Sequence, residues 1–392
     1  MNDSQYFRVY GTMDQETRWL TKYKEVMEFI ERCHRNPSCH RIEEHDMLNW
    51  VKANRKRMNV RGQLDKVSFS KQKIVITAVR SKKFKVNDIL SNKGNSLYQQ
   101  ILKSIIYLYV VNGERVRITK IRIERSTTRV HEVVKEYELD KDAQPITGSF
   151  IFRHAMPNAV IDRIWGESDG DYLLRTVLTH FIGALASGNR YYIFERHWRT
   201  FEQLCLYHNR AANPNRDVEA LQNMRGYIVA NTGKFNDAIT MATGITEAQF
   251  LLFDWEGYVE GSFKHTTSTD SKSYKNVFPN YFVGLNTDER IVKMLRMILP
   301  LRSSELSNNG TLAVVQSHIT TNLATLTRSD EQVLCILCCR YAYYLRNKIF
   351  HGELPDFSFN FSQGTQDDKR LDKINLLLED LNYELLLDFN AL

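Results

Sequence analysis

The chain is 392 residues long, 43% hydrophobic and 25% charged, with a net charge of +7. That length and apolar content support two or three domains with their own cores and exclude a disordered tail. No run of about twenty apolar residues occurs, and Met1-Asn2-Asp3-Ser4 is not followed by a basic cap and an apolar stretch, so the expectation is a cytoplasmic protein with neither membrane span nor secretion signal.

Near the start, Trp19, Tyr23, Val26, Phe29 and Ile30 recur at helical spacing. Cys33-His34 and Cys39-His40 are adjacent pairs, too crowded to wrap one tetrahedral ion, so no metal is expected. Between Trp50 and Lys85 there are twelve basic residues against Asp65 alone, a local charge of +11, which leaves −4 for the remainder. A patch of that density favours nucleic acid, because each phosphate neutralised releases condensed counterions. Trp50-Val51-Lys52, Asn54-Arg55-Lys56, Gly62 and Leu64 resemble the helicase-associated domain, a three-helix unit built around a tryptophan, a basic helix and a glycine. The resemblance covers residues 18 to 80 and implies nucleic-acid contact, here through Lys52, Arg55, Lys56, Arg57 and Arg61. The competing reading is a solvated basic helix face with no specific ligand.

Leu97, Ile101, Leu102, Ile105, Ile106, Leu108 and Tyr109 predict a helix over 96–111 that packs on a core. After the Asn112-Gly113 turn, Val116, Ile118, Ile121 and Ile123, then Val130, Val133, Val134 and Tyr137, predict a β-hairpin with charged alternation, a scaffold or target-sensing element. Asp140 to Gly148, with Pro145, reads as a polar linker. The expected domains are therefore 1–85, a helical basic module; 86–150, a helix plus hairpin; and 151–392, a helical bundle.

In the bundle, 171–186 and 191–207 predict helices broken at Ser187-Gly188-Asn189. Gly261 to Lys275, rich in Ser, Thr and Lys, predicts an exposed loop. Leu371, Ile374, Leu377, Leu378, Leu381 and Leu385 form the stripe of a closing helix, read as bundle core rather than a dimer zipper. Cys335, Cys338 and Cys339 read as small buried hydrophobes.

The most informative stretch follows the apolar helix predicted over 329–345, which Ser329 or Asp330 caps and Gly352 with Pro355 stops. There Arg346-Asn347-Lys348-Ile349-Phe350-His351-Gly352-Glu353 brings a guanidinium, an amide and an imidazole within about one and a half helical turns. Asn347 and His351, four apart, share a face, and Arg346 reaches round from the flank. Spacing alone does not distinguish such a site. Arg175 with His180, and Arg35-Asn36 with His40, meet the same rule, although Pro37 interrupts the latter. Cations near a helix C-terminus are also favoured by the macrodipole.

Leu345 to Glu353 resembles the signature of the HEPN superfamily, and Tyr191 to Tyr207, with Phe194, Trp198, Phe201, Glu202 and Leu204, is similar to the long first helix of larger HEPN domains. Together they cover residues 170–390, with an insertion at 208–328 that the smallest members lack. The resemblance implies a helical bundle that dimerises across two facing motifs and cuts RNA without metal. In it His351 is the acid or base, Arg346 steadies the phosphate charge, and Asn347 orients one of them. Attack by a 2′-hydroxyl implies a 2′,3′-cyclic phosphate product and no action on DNA. Glu202 and Glu353 are candidate additional acids by position.

The expected fold class is mostly α, with some β. The leading functional expectation is a metal-independent endoribonuclease, a conditional toxin or antiphage defence effector, with RNA as substrate, a homodimeric site, no cofactor and a cognate antitoxin or defence partner. Two alternatives stand beside it. One is a non-catalytic HEPN-type protein that binds RNA or a partner; the other is a DNA-binding regulator acting through residues 18–85.

Overall fold

The computed structural model describes residues 4–13, 65–70, 73–81, 89–92, 94–126, 131–139, 145–210, 217–258, 287–308, 312–350 and 365–392. They fall into two units, Met1–Glu167 and Ser168–Leu392, and helix dominates the described residues.

In the first unit, β1 (Ser4–Met13), β2 (Asp65–Ser70), β3 (Lys73–Ser81), α1 (Ser96–Asn112), β4 (Ile118–Ser126) and β5 (His131–Glu138) follow in order. The five strands make one antiparallel sheet in the order β2-β3-β1-β4-β5. Register aligns Phe69, Ile74, Gly11 and Ile121 in one cross-strand row, and Val67, Ile76, Val9 and Ile123 in the next. Ile74, Ile76, Ile121 and Ile123 are buried, and the first three, with Ile101, Ser104 and Ile105 of α1 and Ile118, line the seam between helix and sheet. Alternate residues of the hairpin carry charge. Lys120 pairs with Glu136 at 2.7 Å and Glu138 at 2.9 Å, and Arg122 with Glu124 at 3.0 Å. Asn95 caps α1 by accepting from the backbone N–H groups of Leu97 and Tyr98, and the helix ends at Gly113 with φ 72°, the left-handed conformation that suits glycine.

The predicted helix and hairpin are present. Three differences stand out. Residues 65–70 and 73–81, inside the expected helical basic module, are strands: Lys66-Val67-Ser68-Phe69-Ser70 alternates polar and apolar, and Lys73-Ile74-Val75-Ile76-Thr77 is β-branched at four of five positions, both patterns that suit a half-buried sheet. The strand at Ser4–Met13 was not expected from the sequence. The division also falls after Glu167, not after residue 150. Phe150 rests on Tyr109 with ring centroids 5.6 Å apart, the N–H of Phe152 donates to Gly113 at 2.7 Å, and Trp165 packs on Tyr107 at 5.4 Å and on Phe69 at 6.3 Å. Lys103 reaches Glu167 at 2.5 Å. These contacts hold the segment, including the short α2 (Asn158–Arg163), on the sheet unit.

The second unit contains α3 (Asp169–Leu185), α4 (Arg190–His208), α5 (Asp217–Ala230), α6 (Asn236–Thr243), α7 (Glu247–Leu251), α8 (Glu289–Asn308), α9 (Leu312–Thr325) and α10 (Asp330–Ile336). A π-helical segment, Leu337–Tyr341, leads into α11 (Ala342–Phe350), and α12 (Gln366–Leu387) closes the chain. Ser168 and Thr365 build capping boxes at the starts of α3 and α12, and Asn189 caps α4. The α12 stripe predicted from Leu371 to Leu385 is buried within the chain, against α4 and α6. Asn375 and Asn382 donate to the carbonyls of Arg190 and His197, each at 2.9 Å, and so pin α12 along α4. The described part of the expected insertion consists of helices α5 to α9, and α5 and α6 pack against α10.

One buried ion cluster ties these helices together. All five N–H donors of the Arg290 guanidinium are used: two to Asp288 at 3.0 and 2.8 Å, one to Asp330 at 2.5 Å, and one each to the carbonyls of Ala242 at 3.2 Å and Ile245 at 2.9 Å. The second carboxylate oxygen of Asp288 also accepts from the N–H of Ser329 at 2.8 Å. Arg290 and Asp288 are fully buried, so removing one charge strands the other. We expect Asp288→Ala to lower the unfolding free energy by about 3–5 kcal/mol, whereas Lys293→Ala, which removes a half-exposed pair with Glu247, costs about 1 kcal/mol or less. Urea denaturation of the two variants checks this, and equal losses would refute it.

Glu384 is buried beside the start of α6, accepting from the N–H groups of Asp237 at 2.7 Å and Ala238 at 3.2 Å. Burial outweighs those hydrogen bonds, and Asp237 and Asp380 add to it, so its carboxyl is pushed up to about 7. A raised folded pKa means that its contribution to stability is complete below the unfolded value of about 4.3 and is lost as pH rises towards 7. The melting temperature of Glu384→Gln should therefore fall less than that of the wild type between pH 5 and 7. Parallel profiles would remove Glu384 as the cause.

Candidate active site

The signature helix is built to be held rigidly. Val333 to Cys339, seven consecutive residues, are all buried, so the second half of α10 and the start of the π segment are enclosed on every side. The sequence predicts a plain helix here; the structure inserts one wide turn at Leu337–Tyr341. Cys335, Cys338 and Cys339 are buried free thiols, as expected, and the neighbouring Cys339 together with burial holds the Cys335 thiol well above its usual range.

Beyond the wide turn, Tyr341 and Tyr344 enter an aromatic cluster with Phe253, Trp255 and Tyr258. Asp254 knits it to the helix, accepting from the Tyr344 hydroxyl at 2.8 Å and the Gly257 N–H at 3.0 Å, with Lys348 at 3.5 Å. Its own N–H donates to the Tyr341 oxygen at 3.1 Å. Burial opposes ionisation of Asp254, but these partners and Arg370 outweigh it and hold the carboxyl below its usual range.

On another flank of α11 is Arg346. It donates from Nη1 to the Asn347 amide oxygen at 2.9 Å, its Nη2 lies 3.7 Å from Glu202 Oε1 on α4, and its guanidinium sits 5.2 Å from the Phe350 ring centroid. Glu202 in turn accepts from the indole N–H of the buried Trp198 at 3.3 Å, which fixes the carboxylate. Arg346 Nε is buried with no hydrogen-bond partner among the described residues. The guanidinium is therefore oriented by an amide and a carboxylate but not saturated.

The structure thus brings together Arg346, Asn347 and Glu202, and adds Arg199, which lies 5.7 Å from the Phe350 ring centroid. Arg199 was missed in the sequence, although it falls on the helix already carrying Glu202. His351 lies outside the described residues, as do Glu353, Lys52, Arg55, Lys56, Arg57, Arg61, the paired Cys-His positions near residues 33–40 and the loop predicted at 261–275. The look-alike pair Arg175 and His180 sits on α3 with other partners: His180 Nδ1 meets Arg196 Nη1 at 2.8 Å, and Arg175 lies 5.8 Å from the Tyr172 ring.

No known protein family, curated protein or solved structure matches the chain. The site is therefore judged on its chemistry. A partly exposed guanidinium, set near the end of a helix and oriented by neighbouring oxygens, suits a phosphate or carboxylate better than an apolar ligand. Among the described residues no group of three or more His, Cys, Asp or Glu side chains is placed to hold a metal ion, and no helix is long and apolar enough to cross a membrane.

Gly257 tests how tightly the site is braced. A Cβ there would collide with the Asp254 carboxylate and the Tyr344 hydroxyl. Gly257→Ala should break their hydrogen bond and cost about 1–3 kcal/mol, read by denaturant unfolding. A variant as stable as the wild type would show that the brace is slack.

Proposed function

We propose that this chain is a metal-independent endoribonuclease of HEPN type, acting in the cytoplasm as a toxin or antiphage defence effector. The observation that carries the reading is Arg346, held by Asn347 and Glu202 while its side chain stays partly exposed, five residues before the histidine that the signature requires. His351 removes the proton from a 2′-hydroxyl or returns one to the leaving oxygen, since imidazole titrates near neutral pH. Arg346 stabilises the charge that builds on the phosphoryl oxygens. Asn347 keeps the guanidinium facing the substrate. Two copies of the motif, one from each subunit of a homodimer, complete the composite site. The basic N-terminal segment holds or senses nucleic acid, and an antitoxin or defence partner controls when cutting occurs.

The test is cleavage of total RNA in the presence of EDTA. The wild type should cut and leave 2′,3′-cyclic phosphate ends. His351→Ala should lose about 10²- to 10⁴-fold in rate and Arg346→Ala about 10²- to 10³-fold, with circular dichroism and sedimentation unchanged. Cleavage unaffected by both substitutions, or none by the wild type, would favour a protein that only binds RNA or a partner.

A further inference from the structure

Along α4, Tyr192, Arg196 and Arg199 recur at intervals of four and three residues, so they line one stripe of the helix. Tyr192 is 39% exposed and Phe350 is 42% exposed, and each carries guanidinium groups. Arg196 lies 4.6 Å from the Tyr192 centroid; Arg199 and Arg346 lie 5.7 and 5.2 Å from that of Phe350. The charges are only partly balanced. Arg199 meets Glu195 at 2.8 Å, and Arg346 lies 3.7 Å from Glu202. Arg196 instead meets the ring nitrogen of His180, and its Nε has no hydrogen-bond partner among the described residues. Burial, then Arg196 and Arg199, hold that imidazole down to about 4 against the pull of Glu195, so at neutral pH it is an uncharged acceptor that aims Arg196 without cancelling its charge.

We infer that Tyr192, Arg196, Arg199 and Phe350 form a stacking track that carries single-stranded RNA along α4 to Arg346. Unpaired bases present faces that stack on open aromatic rings, while the guanidiniums take the phosphates between them. A duplex hides those faces, so the track selects single strands. The inference rests on the nuclease reading for its substrate and extends it by naming how the strand arrives.

Binding separates the two ideas. A 2′-O-methylated single-stranded oligoribonucleotide has no free 2′-hydroxyl to attack its own backbone, so anisotropy of a labelled copy reports the track without chemistry. The titrations use the full chain in a background with Lys52, Arg55, Lys56, Arg57 and Arg61 changed to Gln, so that the N-terminal charge does not mask the comparison. Tyr192→Ala and Phe350→Ala should each weaken binding about 5- to 150-fold, Tyr192→Phe should restore it, and Leu301→Ala, on an exposed position of α8, should bind as the background does. A matched RNA duplex should bind more weakly than the single strand. Absent binding, unchanged binding in both alanine variants, or equal affinity for the duplex overturns the track. So does a change in sedimentation without a change in RNA affinity, which would make this face a contact between copies of the chain. Conversely, loss of binding in the variants of a protein that cuts no RNA leaves the track standing and removes the nuclease.

Discussion

The buried Arg290 guanidinium is the constraint on which the second unit depends. Its five hydrogen bonds join the chain just before α8, two carbonyls at the end of α6 and just past it, and the first residue of α10. A charge taken out of water is costly, and a hydrophobic replacement of the whole cluster could be as stable. The observed arrangement satisfies every donor of the guanidinium, and through Asp330 and the Ser329 N–H it fixes where α10 begins.

From that fixed start, the helix runs through an enclosed section and emerges with two polar flanks. Tyr344 and Lys348 lean on Asp254, and Arg346 faces Glu202 across to α4. The first flank is saturated and structural, with each carboxylate oxygen engaged. The second is looser and partly exposed, with Arg346 set 3.7 Å from Glu202. The same segment therefore separates a saturated polar flank from a partly exposed one.

Much of this second unit was legible because helices advertise themselves locally. The stripe from Leu371 to Leu385 and the break at Ser187-Gly188-Asn189 needed only periodicity and capping chemistry, and Arg346 beside Asn347 needed only adjacency. The first unit was harder. β1 lies between β3 and β4, so its partners lie some 60 to 120 residues further along the chain, and no local pattern encodes that pairing. The basic residues between Trp50 and Lys85 also drew attention to charge when the interleaved Val67, Phe69, Ile74 and Ile76 were the sheet signal. Trp165 placed the boundary through contacts with Phe69 and Tyr107, again long-range. Glu202 was named by position alone; its contact with Arg346 depends on how α4 and α11 pack.

The wide turn at Leu337–Tyr341 has a geometric result. Each residue advances an α-helix by about 100°, and a π turn absorbs one residue more than an α turn. Everything after it is rotated by about a quarter of a revolution relative to a straight continuation. Arg346, which meets Glu202 of α4, lies beyond that offset, so its direction depends on chain length as well as on side-chain identity. Excising a single residue there would leave the composition of the pocket intact while turning its guanidinium away, which makes this short irregular run the tuning peg of the helix.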